Sequence, residues 1–100
     1  MPGHRPPARY GHRMIAVLLE FSDDPARLDL RATHRAMLAE LHEQGVAVMC
    51  GPWADESGAL LVFDADETTV REILDRDPYY SAPGVGVLSI REWNVVIGTR

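Results

Sequence analysis

The chain has 100 residues, 46% apolar and 25% charged, which is the make-up of one ordinary globular domain with a single modest core. Its formal net charge is −5, and no apolar run approaches the roughly 20 residues that span a bilayer, which argues against nucleic acid and membrane as partners. Cys50 is the single cysteine, so an internal disulfide is excluded; with no apolar leader segment, a reducing cytoplasm is the expected location.

The first thirteen residues, MPGHRPPARYGHR, carry three arginines and no acid. The other 87 hold seven arginines against 15 acids, a net charge of −8. This Pro-rich head cannot bury enough to order itself and is expected to be mobile; part of it reads as an upstream start or a vector remnant, with a functional basic arm as the alternative. The domain proper is expected over residues 14–98. MIAVLLEF (14–21) is β-branched and leucine-rich, too short for a good helix and followed by SDDP, and reads as a strand. Ser22, Asp23 and Asp24 then offer caps and Pro25 suits a first helical position, so a helix is predicted from there to Gln44, stopped by Gly45. VAVMC (46–50) is a second strand running out at Gly51-Pro52, and ALLVFDA (59–65) a third, entered through Ser57-Gly58. Asp66 caps a shorter helix whose stripe is Val70, Ile73 and Leu74, and Asp77-Pro78 ends it, because the residue before proline is pushed out of helical geometry. YYSAPGVG reads as a loop and VLSIREWNVVI (87–97) as the last strand.

The order βαββαβ predicts an α+β, ferredoxin-like domain with both helices on one face of a four-stranded antiparallel sheet. The other face of such a sheet is polar in a monomer. Here it is not: Met14, Ala16 and Leu18 oppose Ile15, Val17, Leu19 and Phe21, and Leu60 and Val62 oppose Ala59, Leu61 and Phe63. A second copy packed sheet to sheet is the expected cover, making a homodimer.

His34 shares the face of the first helix defined by Leu30, Met37 or Leu38, and Leu41. It is either a core histidine with one hydrogen-bond partner or an acid/base group, and the second role needs a carboxylate to fix its tautomer. Asp77, at the end of the neighbouring helix, is the leading candidate, though an Asp before Pro also serves simply to end a helix.

Four short motifs lie in order on these elements: His34-x-x-x-Leu38, Gly51-Pro52, Ser57-Gly58 and Asp77-Pro78-Tyr79, with Trp93-Asn94 in the last strand. In this the chain resembles the YCII-related family over residues 14–97. The resemblance implies a dimeric α+β barrel with a His–Asp dyad beside the sheet, His34 as general acid/base and Asp77 as its orienting carboxylate. One departure is Pro83, interposed between Ala82 and Gly84 where the family usually runs Ala-Gly.

Around the dyad, Arg31 either grips an anionic ligand or pairs with a nearby acid, and Tyr79 either donates its phenol or packs on the sheet. Tyr80 carries the same alternatives. Gly51 admits a ligand close to the backbone or marks a turn needing positive φ. Trp53 and Trp93 are expected to wall the pocket or to serve as core and dimer contacts. No metal-ligand spacing, phosphate loop or dinucleotide fingerprint is present, so no cofactor is expected; His4 and His12 lie in the head, and His42 is expected on the solvent side of its helix end. Cys50 has no base named beside it and is expected to be a buried strand-end residue.

The expected function is a cofactor-free isomerase, lyase or dehydrohalogenase acting on a small cyclic organic molecule through His34 and Asp77. A non-catalytic dimeric metabolite-binding or accessory module is the alternative, and a cofactor-independent monooxygenase a weaker one.

Overall fold

The computed structural model describes residues 13–98. The elements run β1 (Arg13–Phe21), a 3-10 turn (Pro25–Asp29), α1 (Arg31–Glu43), β2 (Ala47–Pro52), β3 (Gly58–Phe63), α2 (Glu67–Arg76), a second 3-10 turn (Pro78–Ser81) and β4 (Val85–Asn94). The four strands form one antiparallel sheet in the order β2-β3-β1-β4, the ferredoxin-like arrangement expected from βαββαβ. Within the N-terminal head, residues 1–12 and with them His4 and His12 lie outside the described residues; Arg13 already pairs with Asn94 as the first residue of β1.

The core lies between the sheet and the helices. Ile15, Val17 and Leu19 of β1 and Ala59, Leu61 and Phe63 of β3 face Val70, Ile73 and Leu74 of α2, which are all buried. Residues two apart on a strand share a face, so this single register commits the alternate residues to the opposite one. On that opposite face Val95, just past β4, folds back over Met14 and Val62, with Val48 and Leu60 packed beside them. The second face is therefore apolar as expected, but the chain covers one end of it by itself. The rest, around Ala16, Leu18, Leu60 and Trp93, forms a shallow depression of about 230 Å³.

The first helix departs from its prediction. Instead of one helix over residues 25–44, a 3-10 turn capped by Asp24, whose Oδ1 accepts the Ala26 N–H at 2.9 Å, precedes α1, and the break falls at Leu30. Residues three apart eclipse one another in a 3-10 turn, so Arg27 and Leu30 turn inward together. The end of α1 is as expected: Gly45 takes φ 81°, the Gly45 N–H reaches the His42 carbonyl, and the Val46 N–H reaches that of Leu41.

The two helices use the sheet differently. In α2 three apolar residues are buried, whereas in α1 only His34 is, and Leu38 and Leu41 are half-buried. The inward stripe of α1 (Arg31, His34, Arg35, Leu38, Ala39 and His42) instead lines an open cavity against β2 and β3.

Two buried hydroxyls have no hydrogen-bond partner among the described residues, Ser89 Oγ in β4 and Tyr80 Oη near the core. Burial foremost, and then the Asp77 carboxylate, push the Tyr80 phenol pKa well above the ordinary value. Folding thus favours the neutral phenol, a contribution fully present below pH 10 and lost as pH rises past the unfolded-chain value. Tyr80→Phe is expected to leave stability at neutral pH unchanged or raised by up to about 1 kcal/mol, because it deletes an unsatisfied hydroxyl. It should also reduce the loss of stability above about pH 10, measured by denaturant unfolding across pH. A drop of more than about 2 kcal/mol at pH 7 would mean that the hydroxyl is satisfied after all.

Candidate functional site

Asp77 is positioned by the proline that follows it. Pro78 excludes helical geometry at residue 77, and Asp77 sits at φ −105°, ψ 112°, ending α2 and capping the second 3-10 turn. Its Oδ1 accepts the Tyr79 N–H at 3.0 Å, which directs Oδ2 across to α1. There Oδ2 meets His34 Nδ1 at 2.8 Å. Both groups are buried, His34 6% and Asp77 4% exposed. Ending the helix and holding the histidine are thus one conformation serving two purposes.

A carboxylate oxygen only accepts, so Nδ1 carries the proton and Nε2 is the ring nitrogen left for a ligand. The imidazole is clamped further by aromatic rings. Tyr79 stacks on it with centroids 3.9 Å apart and 8° between planes, and Tyr80 meets it edge-on at 5.2 Å. The rotamer and the tautomer of His34 are both set before any ligand arrives.

His34 and Tyr79 form part of the wall of the cavity beneath α1, which has a volume of about 550 Å³. Its floor is apolar, with Leu19, Phe21, Ala59 and Leu61, and its rim is charged, with Arg31, Arg35 and Glu56. That mixture of apolar floor and a few polar groups at the size of a small organic molecule is typical of ligand sites. Among the described residues no group of His, Cys, Asp and Glu side chains is arranged to hold a metal ion.

Of the residues singled out from sequence, the structure brings His34, Asp77, Arg31, Gly51 and Tyr79 together here. Gly51 lies inside β2 without positive φ, and a Cβ built on it meets nothing within 4 Å, so it widens the cavity and is not a turn glycine. The two tryptophans do not belong. Trp53 stands in the β2–β3 loop, 43% exposed, outside the cavity lining. Trp93, 42% exposed, pairs with Met14 on the opposite face of the sheet, where strand alternation must put it. The aromatic walls on which a monooxygenase reading depended are therefore absent from this cavity, whose aromatic lining is Phe21 and Tyr79.

His42 is exposed in the last turn of α1, as expected, and its Nδ1–H donates to the Ala47 carbonyl at 2.8 Å, tying that turn to β2 along the cavity. One further expectation is corrected. Cys50 is exposed and lines the cavity. The reason is a bulge in β2: Ala47 pairs with Phe63 but Met49 with Val62, leaving Val48 as an extra residue and shifting Cys50 opposite Leu61, onto the helix side. Enclosure by the cavity walls raises its thiol pKa, partly offset by the Val62 backbone, so it rests as a thiol and not as a thiolate nucleophile.

Sequence reasoning missed Arg27. It is 8% exposed, its guanidinium lies 3.9 Å above the Phe21 ring centroid, and its Nη1 donates to Tyr79 Oη at 3.3 Å. The spacing Arg27, Arg31, Arg35 is the signal that could have found it, an arginine every turn beside His34.

Fold and cavity together define a small ferredoxin-like α+β domain with a buried His–Asp pair at the edge of a ligand-sized cleft. The chain belongs to the YCII-related domain family, whose pattern matches residues 13–94. No curated protein matches it. Among the described residues no helix is long and apolar enough to cross a membrane.

Proposed function

We propose that this protein is a cofactor-free enzyme in which His34 moves a proton on a small cyclic organic substrate and Asp77 orients it. The observation that carries the reading is the 2.8 Å contact of two buried ionisable side chains in the wall of a 550 Å³ cavity. Nε2 takes a proton from carbon, and the electron pair left behind forms a double bond as it moves along the ring or expels a leaving group. The imidazolium so formed keeps its Nδ1–H on the Asp77 carboxylate, and the same nitrogen can return the proton elsewhere on the ring. Isomerisation, elimination and dehydrohalogenation share this step. A placed general base contributes about 10²–10⁴ in rate.

The test is a panel of cyclic hydroxylated and lactone compounds turned over by the wild type and by His34→Gln, whose amide can still donate to Asp77 and so spare the fold. The expected result is a loss of about 10²-fold or more in kcat for the variant with ligand-induced thermal stabilisation retained. Wild type and His34→Gln binding the same compounds with no turnover by either would make the cavity a recognition site, the alternative of a binding module.

The second part of the proposal is a homodimer joined through the free face of the sheet. Half-buried Ala16, Leu18 and Leu60 and exposed Trp93 give that face apolar surface beside Ser89, Arg91 and Glu92, and a twofold copy covers it with its own identical patch. Light scattering is expected to give twice the chain mass for the wild type and the chain mass for Leu60→Glu, with the fold retained. A wild type that stays monomeric and does not aggregate at high concentration would sink the dimer.

A further inference from the structure

The cavity is cationic in an acidic protein. Against a formal net charge of −5 for the chain, it gathers Arg27, Arg31 and Arg35, and one carboxylate, Glu56. Both Arg27 and Arg31 reach the same oxygen of that carboxylate, Arg27 Nη2 at 3.6 Å and Arg31 Nη1 at 3.5 Å from Oε1. Charge-assisted hydrogen bonds that are fully formed run to about 2.7–2.9 Å, so this is a loose arrangement. Arg27 is buried and cannot lose its proton, so it needs an anion close by. Glu56 is the opposite kind of partner: exposed, at the tip of the β2–β3 hairpin, able to leave for solvent without a desolvation cost.

We propose that Arg27 and Arg31 form a clamp for a carboxylate group on the substrate, and that Glu56 is the internal carboxylate the ligand displaces. The proposal rests on the acid/base reading of the site and names its substrate class, a small ring bearing a carboxylate. Tyr79 sets the geometry. Its ring stacks on His34 at 3.9 Å while its Oη accepts from Arg27, so the clamp and the imidazole are separated by about one phenol ring. A carboxylate held at the arginines therefore lays an attached ring over the apolar floor of Leu19, Ala59 and Leu61 and within reach of His34 Nε2. Two guanidinium groups supply planar donor forks that match a carboxylate, which a lysine pair would not.

The experiment titrates the full chain with benzoate and with benzamide, equal in shape and different in charge, by calorimetry and NMR at low ionic strength. Benzoate is expected to bind about tenfold or more tighter than benzamide. Arg31→Gln should remove that preference and leave benzamide unchanged, and Glu56→Gln should tighten benzoate several-fold by removing the internal competitor. These two rim variants carry the test even where Arg27→Gln fails to fold. Equal affinity for the two probes, no benzoate binding in wild type and Glu56→Gln alike, or a Glu56→Gln variant that binds benzoate no better than wild type would each overturn the clamp. Turnover separates the two proposals: benzoate preference in a wild type that, like His34→Gln, turns over none of the cyclic compounds sinks the acid/base reading alone. Turnover that depends on His34 with no preference for the anion sinks the clamp alone.

Discussion

Asp77→Asn is expected to reverse the imidazole tautomer of His34 with little change in the backbone. In the wild type Oδ1 accepts from Tyr79 N–H and Oδ2 from His34 Nδ1–H. An asparagine keeps its oxygen on the Tyr79 N–H, because only an acceptor serves there, and so turns its amino group toward Nδ1. Nδ1 must then accept, the ring proton moves to Nε2, and the nitrogen facing the ligand loses its lone pair. Activity is expected to fall about 10²–10⁴-fold while binding of a neutral ligand is nearly unchanged. Ring-nitrogen chemical shifts read the tautomer directly: Nδ1–H in the wild type, Nε2–H in the variant. Identical shifts in both would mean that Asp77 does not orient the ring, and the catalytic proposal would lose its orienting carboxylate.

The largest effect on stability is expected at Gly58, the first residue of β3. A Cβ built there runs into the Leu19 carbonyl oxygen, and the next nearest atoms are also backbone, of Leu19 and Glu20. Side chains can swing away from such a clash, but this backbone cannot. Leu19 belongs to a central strand held on one side by Ala59 and on the other by Val87, and its side chain is 2% exposed in the core. Gly58→Ala must therefore pry β1 from β3 next to the cavity floor, at a cost of about 2–3 kcal/mol or more. For a domain of this size that is a fall in Tm of roughly 10–20 °C. Gly51→Ala is the internal control, since its methyl enters open space. It should leave Tm within about 2–3 °C of the wild type, within the surface-substitution range, while narrowing the cavity. Equal stability of the two variants would show that the β1–β3 approach is not as close as the structure has it.

Local chemistry made much of this molecule legible. Alternation in β1 and β3, the Asp66 cap with its bond to Thr69 N–H, the Gly45 stop and the Asp77-Pro78 break depend on neighbours in sequence, and each falls where the pattern put it. The break at Leu30 was illegible because nothing within residues 25–31 demands it; the inward turn of Arg27 is stabilised by Phe21 and Tyr79, far along the chain. The β2 bulge was illegible for the same reason. One unpaired residue, Val48, reverses which side of the sheet Cys50 faces, and only the pairing with β3 reveals it.

By itself, then, the sequence determined the order of the main helices and strands and the placing of His34 on the inward face of α1, since both follow from interactions over a few residues. Only the tertiary structure decided which of its polar groups meet. His34 and Asp77 are 43 positions apart, Arg27 and Tyr79 are 52 apart, and both tryptophans fall outside the cleft. Contacts at such separations are set by how helices and strands pack over a shared core, and periodicity along the chain carries no record of that packing.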